Sequence, residues 1–166
     1  MRQREALNDD FRIVNPDGVG ISADYSLERE KSELERFVKH DLRIGIAGQG
    51  DGVEKLLDLF TEKLTERGFV AERGTPGLPS AIDLGIVLQY SEEPSLEPVE
   101  EWYYCRWALS MEAVDKSTGS VVLSELKQGK AGQLSVEKSR TRALFEAGRA
   151  IPPMVQKVTA YLTGTE

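Results

Sequence analysis

Apolar residues alternate along four stretches of the chain and recur every three or four positions along three others. The first periodic stretch, "SLEREKSELERFVKH" from Ser26 to His40, reads as a charged helix with a narrow stripe of Leu27, Leu34, Phe37 and Val38. Ahead of it, residues 1 to about 25 are polar, carry the turn-forming "NPDGVG", and read as an arm or short strand. "DLRIGIA" (41–47) alternates Leu42, Ile44 and Ile46 and predicts a strand. A helix follows on Val53, Leu56, Leu57, Phe60 and Leu64, with Asp51 placed to cap it, Glu54 at capping-box spacing and Gly68 as a stop. "FVAE" (69–72) predicts a short strand, and "RGTPGLPS" (73–80) a loop.

"AIDLGIVLQY" (81–90) puts Ile82, Leu84, Ile86, Leu88 and Tyr90 on one face with Val87 opposite, as in a central strand covered at least partly on both sides. "SEEPSLEPVEE" (91–101), acidic and interrupted by two prolines, reads as a mobile surface loop. "WYYCRWALSMEAVD" (102–115), the turn "KSTG" and "SVVLSEL" (120–126) predict a long antiparallel hairpin, with "KQGKAGQ" (127–133) as a flexible exit. From Ser135 a helical stripe of Leu144, Gly148, Ile151, Val155, Val158 and Leu162 runs through Pro152 and Pro153, where a kink or break is expected. The pattern gives an α/β fold: a mixed sheet of four to five strands with a βαβ unit, a long antiparallel hairpin and C-terminal helical segments packed on one face. The expected domains are an arm and charged helix over 1–40 and a single α/β domain over 41–166.

Composition narrows the function classes. At 166 residues, with a net charge of −7 and a pI near 4.9, the chain lacks the basic footprint of a nucleic-acid binder. No apolar run approaches the roughly 20 residues that span a bilayer, and "MRQREALNDD" is not a secretory signal. One cysteine, Cys105, and one histidine, His40, make a zinc centre or a cysteine–histidine pair implausible. No catalytic constellation, metal set or cofactor is indicated.

Two motifs stand out. "RIGIAGQGDGVEKLLDLF" (43–60) has a glycine-rich strand-to-helix turn. A phosphate-binding loop fails because Asp51 stands where the lysine belongs, and a dinucleotide fingerprint fails because Val53 replaces the third glycine. Gly48, Gly50 and Gly52 also form the Gly-x-Gly-x-Gly of an S-adenosylmethionine site, but Ile46 and Ala47 occupy the region of its usual acidic residue. The favoured reading is a turn feeding a helix; the alternative is a small S-adenosylmethionine- or nucleotide-binding enzyme.

The second motif is "EWYYCRW" (101–107), which on a strand places Tyr103, Cys105, Trp107, Leu109 and Met111 on one side. Trp102, Tyr104 and Arg106 fall on the other, as a cross-strand aromatic pair on a wet sheet face or as a surface for a partner.

The segments "WALSMEAVDKSTGSVVLSELKQGKAG" and "VEKSRTRALFEAGRAIPPMVQKVTAYL" resemble a group of bacterial envelope domains. The group comprises the curli-secretion lipoprotein, the penicillin-binding-protein activator lipoproteins and the N-terminal domain of TolB. The matching positions are Asp115, Thr118, Gly119, Gly129, Gly132, Ala143 and Ala147, and the resemblance spans about residues 41 to 163. The tryptophan common after the Thr-Gly turn is absent from "SVVLSEL", and no pore-forming hairpin is evident. The resemblance implies a non-enzymatic periplasmic, outer-membrane-associated lipoprotein-type module. Such a module binds other envelope proteins or copies of itself and meets the membrane only through a lipid anchor upstream of Met1.

Overall fold

A computed structural model describes residues 41–74 and 82–164, together with Glu30, Ser32, Glu33 and Arg36. The chain divides into two compact units, Met1–Glu35 and Arg36–Glu166. In the first, the backbone is helical at Glu30, Ser32 and Glu33. Arg36, in the second, is helical as well; the rest of the predicted arm and charged helix, His40 included, lies outside the described residues, as does most of the loop predicted over 73–80.

The second unit runs β1 (Arg43–Gln49), α1 (Val53–Thr65), β2 (Val70–Arg73), β3 (Leu84–Pro94), β4 (Tyr103–Asp115), β5 (Val121–Gln133), α2 (Val136–Gly148) and α3 (Ile151–Thr163). The five strands form one mixed sheet in the order β2-β1-β3-β4-β5. β1 is parallel to β2 and to β3, whereas β3, β4 and β5 are mutually antiparallel. One face holds the core. Ile44, Ile46, Leu84, Ile86, Leu88, Leu109 and Met111 meet the predicted α1 stripe there, together with Ile151, Met154, Val155 and Val158 of α3. α2 instead buries its small residues, with Ala143 against Cys105 and Ala131.

Three local expectations are corrected. Asp51 does not cap α1: Gly52 is the N-cap, left-handed at φ 80 with no side-chain hydrogen bond, so the carboxylate comes one residue too early. The segment expected as a mobile loop begins as strand, because Ser91 to Pro94 stay in register with Cys105 to Ala108 of β4. The expected flexible exit is also strand. Gly129 lies across from Trp107 and Gly132 across from Tyr104, and the aromatic rings occupy the space a Cβ would need. Glycine here serves ring packing rather than flexibility. The face opposite the helices is covered over the central strands, where Gly45, Ala47 and Gly85 are buried and Val87 is half-buried, as the alternation of β3 leads one to expect.

The helical break falls just before the prolines. α2 is capped by Ser135, whose hydroxyl accepts from the Lys138 N–H at 3.3 Å, and ends at Gly148. α3 begins at Ile151, so Pro152 and Pro153 sit in a first turn whose N–H groups have no intrahelical partner anyway.

α3 is also tied to the sheet by charge. Glu125 of β5 receives Lys127 at 2.8 Å and Lys157 of α3. Hydrogen bonds from Lys127 and then Lys157 hold its carboxyl below the usual range. A lowered folded-state pKa contributes stability above the unfolded value, about 4.3, and that contribution is lost as the pH falls through the folded value. Urea midpoints measured from about pH 6 to about pH 3 should therefore fall less steeply for Glu125→Gln than for the unsubstituted protein, with the divergence confined to the acid side of about pH 4.3. Parallel curves would show that the contacts of Glu125 with Lys127 and Lys157 contribute nothing to folding.

Candidate interaction surface

β3 and β4 pair residue for residue from Leu84–Asp115 to Pro94–Cys105. Pro94 lacks the donor needed to continue, and Ser95 closes the ladder: its N–H donates to the Tyr104 carbonyl at 2.6 Å and its Oγ accepts from the Tyr104 N–H at 2.8 Å. The connection then narrows again. Val99 and Trp102 exchange two backbone hydrogen bonds of 2.8 and 3.0 Å around Glu100 and Glu101, whose φ angles are 51° and 69°. Two consecutive left-handed residues inside such a pair make a type I′ turn, which favours Asn-Gly. Holding glutamates there costs roughly 1–2 kcal/mol each.

This tip presents apolar groups to water: Leu96 is 85% exposed, Val99 58% and Trp102 44%. Behind them the rings of Tyr104 and Trp102 lie over Gly132, whose added Cβ would meet them at 2.9 and 3.6 Å. The Lys130 ammonium sits 3.7 Å from the centroid of Tyr104, a cation–π contact. Arg106 is exposed, with Glu93 beside it on β3 and Lys130 on β5. The structure thus brings Trp102, Tyr104 and Arg106 to one end of the sheet. Trp102 sits in the turn, just ahead of the strand. Leu96 and Val99 escaped the sequence reading because "SEEPSLEPVEE" looked like a solvated loop; their only signal was being the two apolar side chains in that acidic run apart from its prolines.

The other side of the hairpin is structural. Cys105 is buried, and burial together with the nearby Glu92 charge pushes its thiol above the ordinary range, which makes it inert. Burial, then Glu92, likewise raises the Tyr90 phenol, which donates to Glu92 at 3.1 Å. Glu92 also receives Arg140, linking α2 to the end of β3. Trp107 packs on Gly129, and its buried indole N–H has no hydrogen-bond partner among the described residues, a cost of about 1–3 kcal/mol.

Each glycine of the 48–52 loop has a structural role. A Cβ on Gly48 would lie 2.8 Å from Val53 and 3.1 Å from Leu57, so its absence seats α1 on β1. Gly50, at φ 113, would place a Cβ 1.8 Å from the Tyr90 carbonyl oxygen. Gly52 begins α1. A shallow groove of about 440 Å³ passes Gly50 on the sheet, but Gln49, Gln89, Tyr90, Ser91, Ala108, Ser110 and Leu126 supply no cation for a phosphate. Among the described residues no acidic, histidine and cysteine side chains cluster in a metal-binding group, and no helix is long and apolar enough to cross a membrane.

No family model matches the chain, and no curated protein matches it. Solved structures do. A candidate neuraminyllactose-binding hemagglutinin homologue from Helicobacter pylori is similar at 9% identity and a TM-score of 0.53, over 77% of this chain and 93% of that one. The likeness is one of fold. A lipoprotein from Neisseria meningitidis is similar at 10% identity and a TM-score of 0.47, over 70% and 99% of the two chains. A minor lipoprotein from Acinetobacter baumannii follows at 11% identity and a TM-score of 0.44, over 74% and 90%.

Proposed function

We propose that this chain is a non-enzymatic module of the bacterial cell envelope, periplasmic and associated with the outer membrane, that works by binding protein through the tip of the β3–β4 hairpin. The observation that carries the reading is the tip itself. A short, doubly hydrogen-bonded turn holds Trp102 and Val99 out to solvent, with Leu96 beside them, on a rigid two-stranded support. Exposed aromatic and arginine side chains on a fixed frame are what protein interfaces use as anchors. The sequence resemblance to envelope lipoprotein domains, covering Asp115, Thr118, Gly119, Gly129 and Gly132, supports the compartment. The tight packing of Gly48 and Gly50 against their own neighbours favours the turn reading over the enzyme alternative.

Replacing Trp102 and Arg106 with Ala together should weaken partner binding by about 2 kcal/mol or more, roughly 30-fold. The melting temperature should stay nearly unchanged, because both side chains are largely outside the core. Photo-crosslinking from position 102 in the native cells should join the protein to envelope partners, and a crosslinker at Ser117, at the opposite end of β4, should not. Identical patterns from the two positions would remove the tip from the reading, and unfolding of the double variant would make these residues structural.

A further inference from the structure

The helix layer carries an apolar groove at the edge of the core, open to solvent. About 490 Å³ in volume, it lies between α1 and α2 and is walled by Leu56, Leu59, Leu144, Phe145 and Pro152. Phe145 is 58% exposed and extends these apolar walls to the surface, which makes a patch rather than a lone exposed side chain. The charged side chains lining the groove are Lys55 and Arg149, both cations. Arg142 adds a third at its edge, 5.2 Å from the centroid of the Phe145 ring, and Glu146 answers Arg142 and Arg149 together.

The hairpin tip has the opposite character. From Ser91 to Glu101 there are five glutamates and no lysine or arginine. Glu92 is engaged by Arg140, and Glu93 lies across from Arg106, which leaves the exposed Glu97, Glu100 and Glu101 around Leu96, Val99 and Trp102. An acidic-rimmed apolar knob and a basic-rimmed apolar groove therefore sit on two separate surfaces of one chain. The backbone adds a second argument: Glu100 and Glu101 stand at positive φ where Asn-Gly would be easier. A costly pair of carboxylates at a turn tip points to a use for the charges.

We infer that the hairpin tip of one copy docks in the α1–α2 groove of a second copy, making a head-to-tail contact. This rests on the reading of the tip as a protein-binding element and names its occupant. Trp102 and Leu96 enter between Leu59, Leu144 and Phe145, while Glu97, Glu100 and Glu101 meet Lys55, Arg142 and Arg149. Because knob and groove are different surfaces, each copy keeps one of each unfilled after pairing. The contact propagates, giving a ring if the rotation closes and a filament if it does not. It weakens as salt screens the charges.

Sedimentation of the purified protein tests this. The unsubstituted chain should associate as its concentration rises towards about 100 μM, and less so in high salt. Trp102→Glu and Phe145→Glu should each remain monomeric, yet an equimolar mixture of the two should form a one-to-one dimer that grows no further. The mixture retains one intact knob and one intact groove. The double substitution Glu100→Asn with Glu101→Gly should weaken association about tenfold while raising the melting temperature, a combination that a merely structural turn would not give. It also serves if either single variant fails to fold. A monomer at every concentration, a mixture that stays monomeric, or a dimer that persists in both single variants would each overturn the head-to-tail contact. A monomer that still crosslinks from position 102 to a different envelope protein would overturn self-docking and leave the protein-binding reading standing.

Discussion

Gly50→Ala should cost the fold about 3–4 kcal/mol and lower the melting temperature by roughly 10 °C, more than the same change at Gly48 or Gly119. Two penalties coincide there. The backbone sits at φ 113, a conformation that L-residues rarely adopt, and the new Cβ would fall 1.8 Å from the Tyr90 carbonyl oxygen. That oxygen belongs to the backbone of β3, so no rotamer change relieves the overlap. Gly119→Ala isolates the first penalty. Its φ is 72 with nothing within 4 Å of the added carbon, and it should cost only about 1 kcal/mol. Gly48→Ala isolates the second in milder form, against the movable side chains of Val53 and Leu57, at about 1–2 kcal/mol. Thermal melts followed by circular dichroism should rank the three as Gly50, Gly48, Gly119. The same series bears on the cofactor alternative. A glycine loop kept for S-adenosylmethionine or a nucleotide would bind it in calorimetry and lose binding in Gly50→Ala with little loss of stability. A loop kept for packing shows the reverse.

The elements legible in the sequence were those whose period is set by a single buried face. β1, α1 and the first part of β3 read cleanly because Ile44, Ile46, Leu56, Phe60, Leu84 and Leu88 all face one core. The strand ends did not. β5 runs on to Gln133 through two glycines that propensity assigns to a loop. Only the rings of Trp107 and Tyr104 on the neighbouring strand make glycine the fitting residue, and that partnership depends on register, which composition does not carry. The acidic run after Tyr90 was likewise strand by pairing rather than by pattern. The candidate surface was visible in part. Alternation placed Tyr104 and Arg106 on the face away from the helices, but Leu96 and Val99 reach the same tip only through a turn built from two glutamates, a choice no turn rule anticipates. The groove was invisible, since it needs α2 to pack through Ala143 and Ala147 and so leave Phe145 outside.

Ending the chain after Ala150 should unfold or aggregate the protein. α3 places Ile151, Met154, Val155 and Val158 in the core with no exposed surface, packed in one cluster with α1 and the central strands. Each such side chain contributes about 1.5–3 kcal/mol by burial, so the set is comparable to the whole 5–15 kcal/mol stability of an ordinary domain. The hydrogen bonds that Pro152 and Pro153 cannot make are not lost to this account, because both lie in the first turn of α3, where no intrahelical acceptor is available. The truncated chain would expose Leu64, Phe60 and Met111 on the helix side of the sheet, a contiguous apolar patch that recruits other copies without specificity. Far-UV circular dichroism should show lost cooperativity on heating, light scattering should show aggregates, and an environment-sensitive dye should bind the truncated chain and not the full one. A monomer with an unchanged melting temperature would mean that α3 is a detachable tail. In that case the helix layer would no longer hold α1 and α2 in register, and the groove between them would lose its support.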